Sequence, residues 1–92
     1  MSENILTVEI VTPQKAIYSG KANSVSVPGS QSPFQALVNH APIISALDEG
    51  IVKISEVNDN KLNFKTSKGF VEINKNHVSI LVETAKMIDN PV

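Results

Sequence analysis

The sequence predicts an all-β domain, a sandwich or barrel of short strands. Three observations carry that reading. Apolar and polar residues alternate with the two-residue period of a strand, as in Leu6-Thr7-Val8-Glu9-Ile10-Val11. Turn signals of glycine, proline and asparagine recur every ~8–12 residues. An apolar period of about 3.6 residues, the mark of an amphipathic helix, persists nowhere.

Residues 6–11 form the first expected strand, with Leu6, Val8 and Ile10 on one face. Pro13 ends it, because proline cannot donate to a sheet ladder. Residues 16–19 resume as a short extended piece that Gly20 breaks. Residues 22–27 make another strand, with Val25 and Val27 inward and Ser24 and Ser26 outward. Pro28-Gly29 reads as a turn in which glycine accepts a positive φ. Short apolar runs follow at 34–38 and 42–47, and Asp48-Glu49-Gly50 reads as a turn. Residues 51–57 alternate again, 58–61 form a hairpin loop, and 62–67 put Leu62, Phe64 and Thr66 on one side. Lys68-Gly69 turns the chain into a strand at 70–73. Residues 74–77 are a polar turn, and 78–82 are the last expected strand. Residues 83–92 read as a fraying polar tail; 85–88 could begin a helix, but Pro91 leaves it no length. Asn39, Asn58, Asn74 and Asn76 are expected loop formers, since asparagine tolerates the left-handed region.

Composition removes several function classes. Ninety-two residues make one domain. There is no cysteine, hence no disulfide and no thiolate nucleophile or ligand. Net charge is −1, and all eight basic residues are lysines scattered from Lys15 to Lys86. Without arginine forks or a basic cluster, nucleic-acid binding is disfavoured. No apolar run approaches the ~18–20 residues needed to span a bilayer. The first residues show neither a signal-peptide pattern nor a transit-peptide bias, so a cytoplasmic chain is expected.

Catalytic equipment is sparse. No glycine-rich phosphate loop or nucleophile elbow is present. His40 and His77 lie in different turns and fall short of the three or four ligands of a zinc site, so no metal and no cofactor are expected. Ser45, His40 and Asp48 can be written as a triad, but ten serines make such a set easy to find. The plainer reading is that His40 precedes a strand and its ring caps backbone groups. Asp48-Glu49 likewise reads as a solvated turn. Four aromatic residues are too few for a stacking platform.

One resemblance joins these pieces. Thr12-Pro13, Tyr18-Ser19-Gly20, Val27-Pro28-Gly29-Ser30, the eight residues from His40-Ala41-Pro42 to Leu47, Glu49-Gly50-Ile51-Val52-Lys53-Ile54 and the strands from Gly69 and Val78 follow in order. Together they resemble the epsilon subunit of F-type ATP synthases, called delta in mitochondria, over residues 5–86. Departures fall in the loop: Ser32 and Gln35 replace usual glycines, Val38-Asn39 replaces Pro-Gly, and Glu49 stands where proline is usual. The family's C-terminal helical pair has no counterpart before Val92. Asn-Pro-Val reads slightly more as a natural end than a cut one, and assembled enzyme is expected to lack epsilon-type inhibition.

The resemblance implies a flattened ten-stranded sandwich of two antiparallel sheets over residues 1–86, with a tail at 87–92. It implies a non-catalytic rotor subunit of a proton-translocating enzyme, peripheral to the cytoplasmic face of the inner membrane through the complex. Its partners would be the gamma subunit and the c ring. Gly29, Ser30, Gln31, Ser32 and Pro33 would meet the c ring. Thr12, His40, Ala41, Pro42 and Ser45 would meet gamma. The alternatives are a free-standing β-sandwich module binding protein or carbohydrate, and a small hydrolase built on His40.

Overall fold

The computed structural model describes residues 4–88. Among them nine strands form: β1 Leu6–Val11, β2 Ala16–Val27, β3 Phe34–Leu37, β4 Ile43–Leu47, β5 Gly50–Glu56, β6 Lys61–Thr66, β7 Gly69–Asn74, β8 His77–Val82 and β9 Ala85–Ile88. No helix is present among the described residues. The hydrogen-bonded order is β4-β7-β8-β1-β2-β5-β6-β9, with β3 also on β2.

Strand β2 organises this path. Its first part pairs with β1, from Val11↔Ala16 to Leu6↔Ala22. Its second part pairs with both β5 and β3, and the β5 register shifts between Ala22 and Ser24. The chain therefore passes between layers inside one strand. The first layer is β4-β7-β8-β1 with the start of β2; the second is β3, the end of β2, β5, β6 and β9. Ten strands are expected and nine are described, with β2 taking part in both layers.

Alternation decides which side chains meet between the layers. Leu6, Val8 and Ile10 of β1, Val25 and Val27 of β2, Val52 and Ile54 of β5, Phe64 of β6, Val71 and Ile73 of β7, and Val78, Ile80 and Val82 of β8 are all buried. Burying a side chain of this kind contributes about 1.5–3 kcal/mol, so these positions carry most of the fold's driving force.

Four expectations are corrected. Gly20 does not break the chain, since β2 runs through it. Glycine is needed there because the ring of Tyr18 fills the space a Cβ would occupy. Gly29 does not take a positive φ. It bridges to Leu47, and a Cβ would lie 2.6 Å from the Ser32 carbonyl oxygen and 3.0 Å from the Phe34 ring. The sheets are not wholly antiparallel, because β8 lies parallel to β1 from Thr7↔His77 to Val11↔Leu81. Finally, residues 85–88 neither fray nor coil. They form β9 on β6. The Ser67 hydroxyl fixes the approach by accepting from the Glu83 and Thr84 amides at 2.9 and 3.1 Å. The tail expected from residue 87 thus begins inside a strand; residues 89–92 of it lie outside the described residues.

The connections collect at two ends. The upper end holds the β1–β2, β2–β3, β4–β5, β6–β7 and β8–β9 connections, as Val11↔Leu81, Gly29↔Leu47 and Leu47↔Gly69↔Val82 require. The lower end holds β3–β4, β5–β6 and the two-residue β7–β8 turn. Lys75 and Asn76 in that turn have φ of 51° and 64°. Two left-handed residues give the turn whose twist suits a hairpin.

Candidate interaction surface

Residues 29–33 form one loop at the upper end, and its base is fixed. The Ser30 amide donates to the Ala46 carbonyl at 2.9 Å, and the Asp48 amide to the Pro28 carbonyl at 2.8 Å. The Ser30 hydroxyl donates to Asp48 Oδ1 at 3.1 Å. Gly29 is buried, whereas Ser30, Gln31, Ser32 and Pro33 are exposed. The structure therefore presents this group together, as a short projection on a rigid base.

Thr12, His40, Ala41, Pro42 and Ser45 are spread out. Thr12 closes the β1–β2 turn at the upper end: its hydroxyl donates to the Lys15 carbonyl at 3.0 Å and accepts from the Lys15 amide at 3.3 Å. His40, Ala41 and Pro42 lie at the lower end. The His40 amide donates to the Leu37 carbonyl at 3.1 Å, and its ring Nδ1 donates to the Ala41 carbonyl at 2.7 Å. The ring leans on Phe34, with centroids 6.2 Å apart. This segment is tied to the β7–β8 turn, where the Asn39 amide donates to Asn76 Oδ1 at 2.7 Å. Asn39, with φ of 66°, and Asn76 are both left-handed, as expected of loop asparagines; Asn74 instead continues β7. Ser45 is half-buried opposite Val71, and its hydroxyl donates to the Ala46 carbonyl at 3.2 Å. His40 and Asp48 stand beyond opposite ends of β4, so no triad assembles with Ser45.

A feature not singled out from the sequence lies on the outer face of the first layer. Val11, Leu81, Phe70 and Ala46 are in register across β1, β8, β7 and β4. Phe70 is 57% exposed and Leu81 48%. Ile44, two residues down β4, is 72% exposed. Below this apolar row runs a polar one, in which the Ser79 hydroxyl donates to Glu9 Oε1 at 3.1 Å and Glu72 faces Ile44. An open hollow of about 660 Å³ adjoins the row at the upper end, lined among others by Thr12, Pro13, Ser30, Asp48 and Lys68. The signal was available as parity. In Phe70-Val71-Glu72-Ile73 and Ile80-Leu81-Val82, inward Val71 and Ile80 force Phe70 and Leu81 outward.

A second polar contact joins β2 to β5 at a half-buried position. The Tyr18 hydroxyl donates to Glu56 Oε2, and the ring packs on Phe64 with centroids 5.5 Å apart. Burial raises the Tyr18 pKa above its ordinary value, and the hydrogen bond and negative charge of Glu56 raise it further.

The chain is similar to proteins of one family. Residues 5–88 match the family described as ATP synthase, Delta/Epsilon chain, beta-sandwich domain. The chain is 40% identical over 82 residues to the ATP synthase epsilon chain of Chlorobaculum tepidum, covering 89% of this chain and 93% of that one. It is 41% identical over 83 residues to the epsilon chain of Leptospira interrogans, of which it spans 65%. Among solved structures, it superposes on a chain of the Euglena gracilis mitochondrial ATP synthase OSCP/F1/c-ring assembly with a TM-score of 0.88 at 16% identity, covering 95% of this chain and 56% of that one. A chain of the Tetrahymena thermophila ATP synthase central stalk/c-ring gives 0.73 at 19%, covering 94% and 69%. At those identities the structural matches speak for the fold.

Proposed function

The chain belongs to the delta/epsilon-chain β-sandwich family of ATP synthases, and on that premise we propose that it is a rotor subunit joining a c ring to a gamma subunit. The observation that carries this reading is the apolar row Val11–Leu81–Phe70–Ala46 on an outer face of a stiff sandwich. Phe70 and Leu81, large apolar side chains left about half exposed on a solvent face, suit a protein partner. Gamma would cover this row. Thr12 then sits at its upper edge, whereas Ser45, opposite inward Val71, faces away from the row, and His40, Ala41 and Pro42 lie at the other end of β4, beyond the polar row. The loop from Gly29 to Pro33 would meet the c ring, its base fixed through Ala46 and Asp48.

The work is mechanical. Torque passes from ring to gamma only if the linking body deforms less than its interfaces slip. A two-layer β body, with one strand shared by both layers, meets that need without contributing a reacting group. The subunit would lie peripherally at the cytoplasmic face of the inner membrane, held through the complex.

Capture of a gamma–c-ring subcomplex by the purified chain tests the reading. Phe70→Glu is expected to weaken capture by about thirtyfold or more, the effect of losing a central anchor. Gln31→Ala should leave gamma binding intact while loosening the ring contact. Failure of the unaltered chain to bind the subcomplex, or full binding by the Phe70→Glu variant, would remove the assignment.

A further inference from the structure

The outer face of the second layer is basic. Across β5, β6 and β9 its upper row presents Ile51, Lys65 and Lys86; the next row presents Lys53, Asn63 and Ile88; the lowest presents Ser55 and Lys61. Gln35 and Leu37 of β3 and Ser24 and Ser26 of β2 complete the face, and the carboxylate of β5, Glu56, has the opposite parity, with buried Val52 and Ile54. All four lysines are exposed. Lys65 and Lys86 are direct cross-strand partners. Side chains so placed begin about 4.5–5.5 Å apart, and like charges there repel. Lys53 stands a diagonal step from Lys65, about 7–8 Å away. A shallow hollow of about 180 Å³ opens beside the pair, lined by Glu49, Lys65, Thr66, Ser67, Thr84, Ala85 and Lys86. Glu49 is the one carboxylate among those lining residues.

We infer that the Lys65–Lys86 corner binds the phosphate of an anionic phospholipid headgroup. An in-register lysine pair is unfavourable alone and becomes favourable when an anion sits between the ammonium groups. Lysine offers hydrated point charges rather than a planar fork, which suits attraction to a fluid headgroup layer more than one fixed bidentate partner. Lys53 extends the attraction along the face. No aromatic side chain lines the hollow to grip a base or sugar. The corner also lies at the upper end, as does the loop from Gly29 to Pro33. This step rests on the proposed ring contact, which turns that end toward the bilayer.

The test uses amide NMR spectra of the full chain titrated with phosphatidylcholine bicelles, with and without phosphatidylglycerol. Shifts at Lys65, Ser67, Thr84 and Lys86 are expected only with the anionic lipid, weakening as salt is raised. The Lys65→Gln/Lys86→Gln variant should lose at least about tenfold in affinity. Lys61→Gln, at the lower end of the same face, should keep most of it. Unchanged core resonances will show that the variants are folded. Equal shifts with neutral bicelles, or an undiminished response in the double variant, would overturn the site. Saturation of the same amides by inorganic phosphate without lipid would overturn the lipid assignment in favour of a soluble anion. Neither gamma nor c ring is present, so this result and the capture experiment fail independently.

Discussion

Tyr18 shows how one side chain ties local sequence to the joining of the layers. Its ring lies over Gly20, packs against Phe64 of β6 and places its hydroxyl on Glu56 of β5. One residue thus links the first part of β2 to two strands of the second layer. The fold also favours the neutral phenol, and the sign of the resulting pH dependence follows. Because the folded pKa lies above the ordinary 10.0, Tyr18's contribution is fully present below that value and is lost as pH rises through it toward the folded pKa. Urea midpoints measured from about pH 9 to about pH 11 should therefore fall more steeply for the unaltered chain than for Tyr18→Phe, while the lysines titrate in both. Parallel curves for the two proteins would show that Tyr18 stays neutral in the unfolded chain as well, or that its hydroxyl is solvated in the fold. His40 gives the opposite lesson. A histidine beside serine and aspartate invites a catalytic story, but its Nδ1 is taken by the neighbouring Ala41 carbonyl and its ring by Phe34.

Among the elements, β9 states the most testable energetics. It is a four-residue edge strand held to β6, with Lys86 opposite Lys65. Lys86→Glu replaces repulsion by attraction and should stabilise the free chain by about 0.3–1 kcal/mol. Thermal unfolding at low salt would measure the gain, and added salt should shrink it. A destabilised variant would mean that Lys86 packs along its stem rather than repelling its neighbour. The same strand marks where the sequence stops being legible. Alternation identified the one-face sets Leu6/Val8/Ile10, Val25/Val27 and Leu62/Phe64/Thr66, because parity is a property of consecutive residues; Leu62 is only partly buried against the core. It could not show β9, since Ala85-Lys86-Met87-Ile88 carries no strict alternation and gains its shape from β6. Nor could it show β8 parallel to β1, a pairing between residues about seventy positions apart. Gly20 misled for a related reason: its small size answers Tyr18 two residues earlier, not a turn. The residues of the loop from Gly29 to Pro33 were legible as a unit because they are contiguous. Parity makes the outward placing of Phe70 and Leu81 legible strand by strand, but not their alignment into one row, which takes the register of four strands.

At the scale of the molecule, the shared strand β2 makes a claim about cooperativity. If the layers were separate sheets meeting only through side chains, each could open while leaving the other's ladders intact. Here the backbone that pairs with β1 continues into the backbone that pairs with β5 and β3. Gly29 and Leu47 add a bridge from the end of β2 to the edge of the first layer. Opening either layer therefore strips pairing from the other, and the central strands should unfold as one unit. Native-state hydrogen exchange will read this directly. Amides of β1 and β8 in the first layer, and of the end of β2 and β5 in the second, should share one opening free energy, with the edge strands β4 and β9 lower. Phe64→Leu, a core change on β6, is expected to destabilise the protein by about 1–2 kcal/mol. It should lower protection in β1 and β8 as much as in β5. Loss confined to the second layer would show two independently opening halves. A body of that kind would twist between its faces under load, which is the opposite of what a torque-bearing link requires.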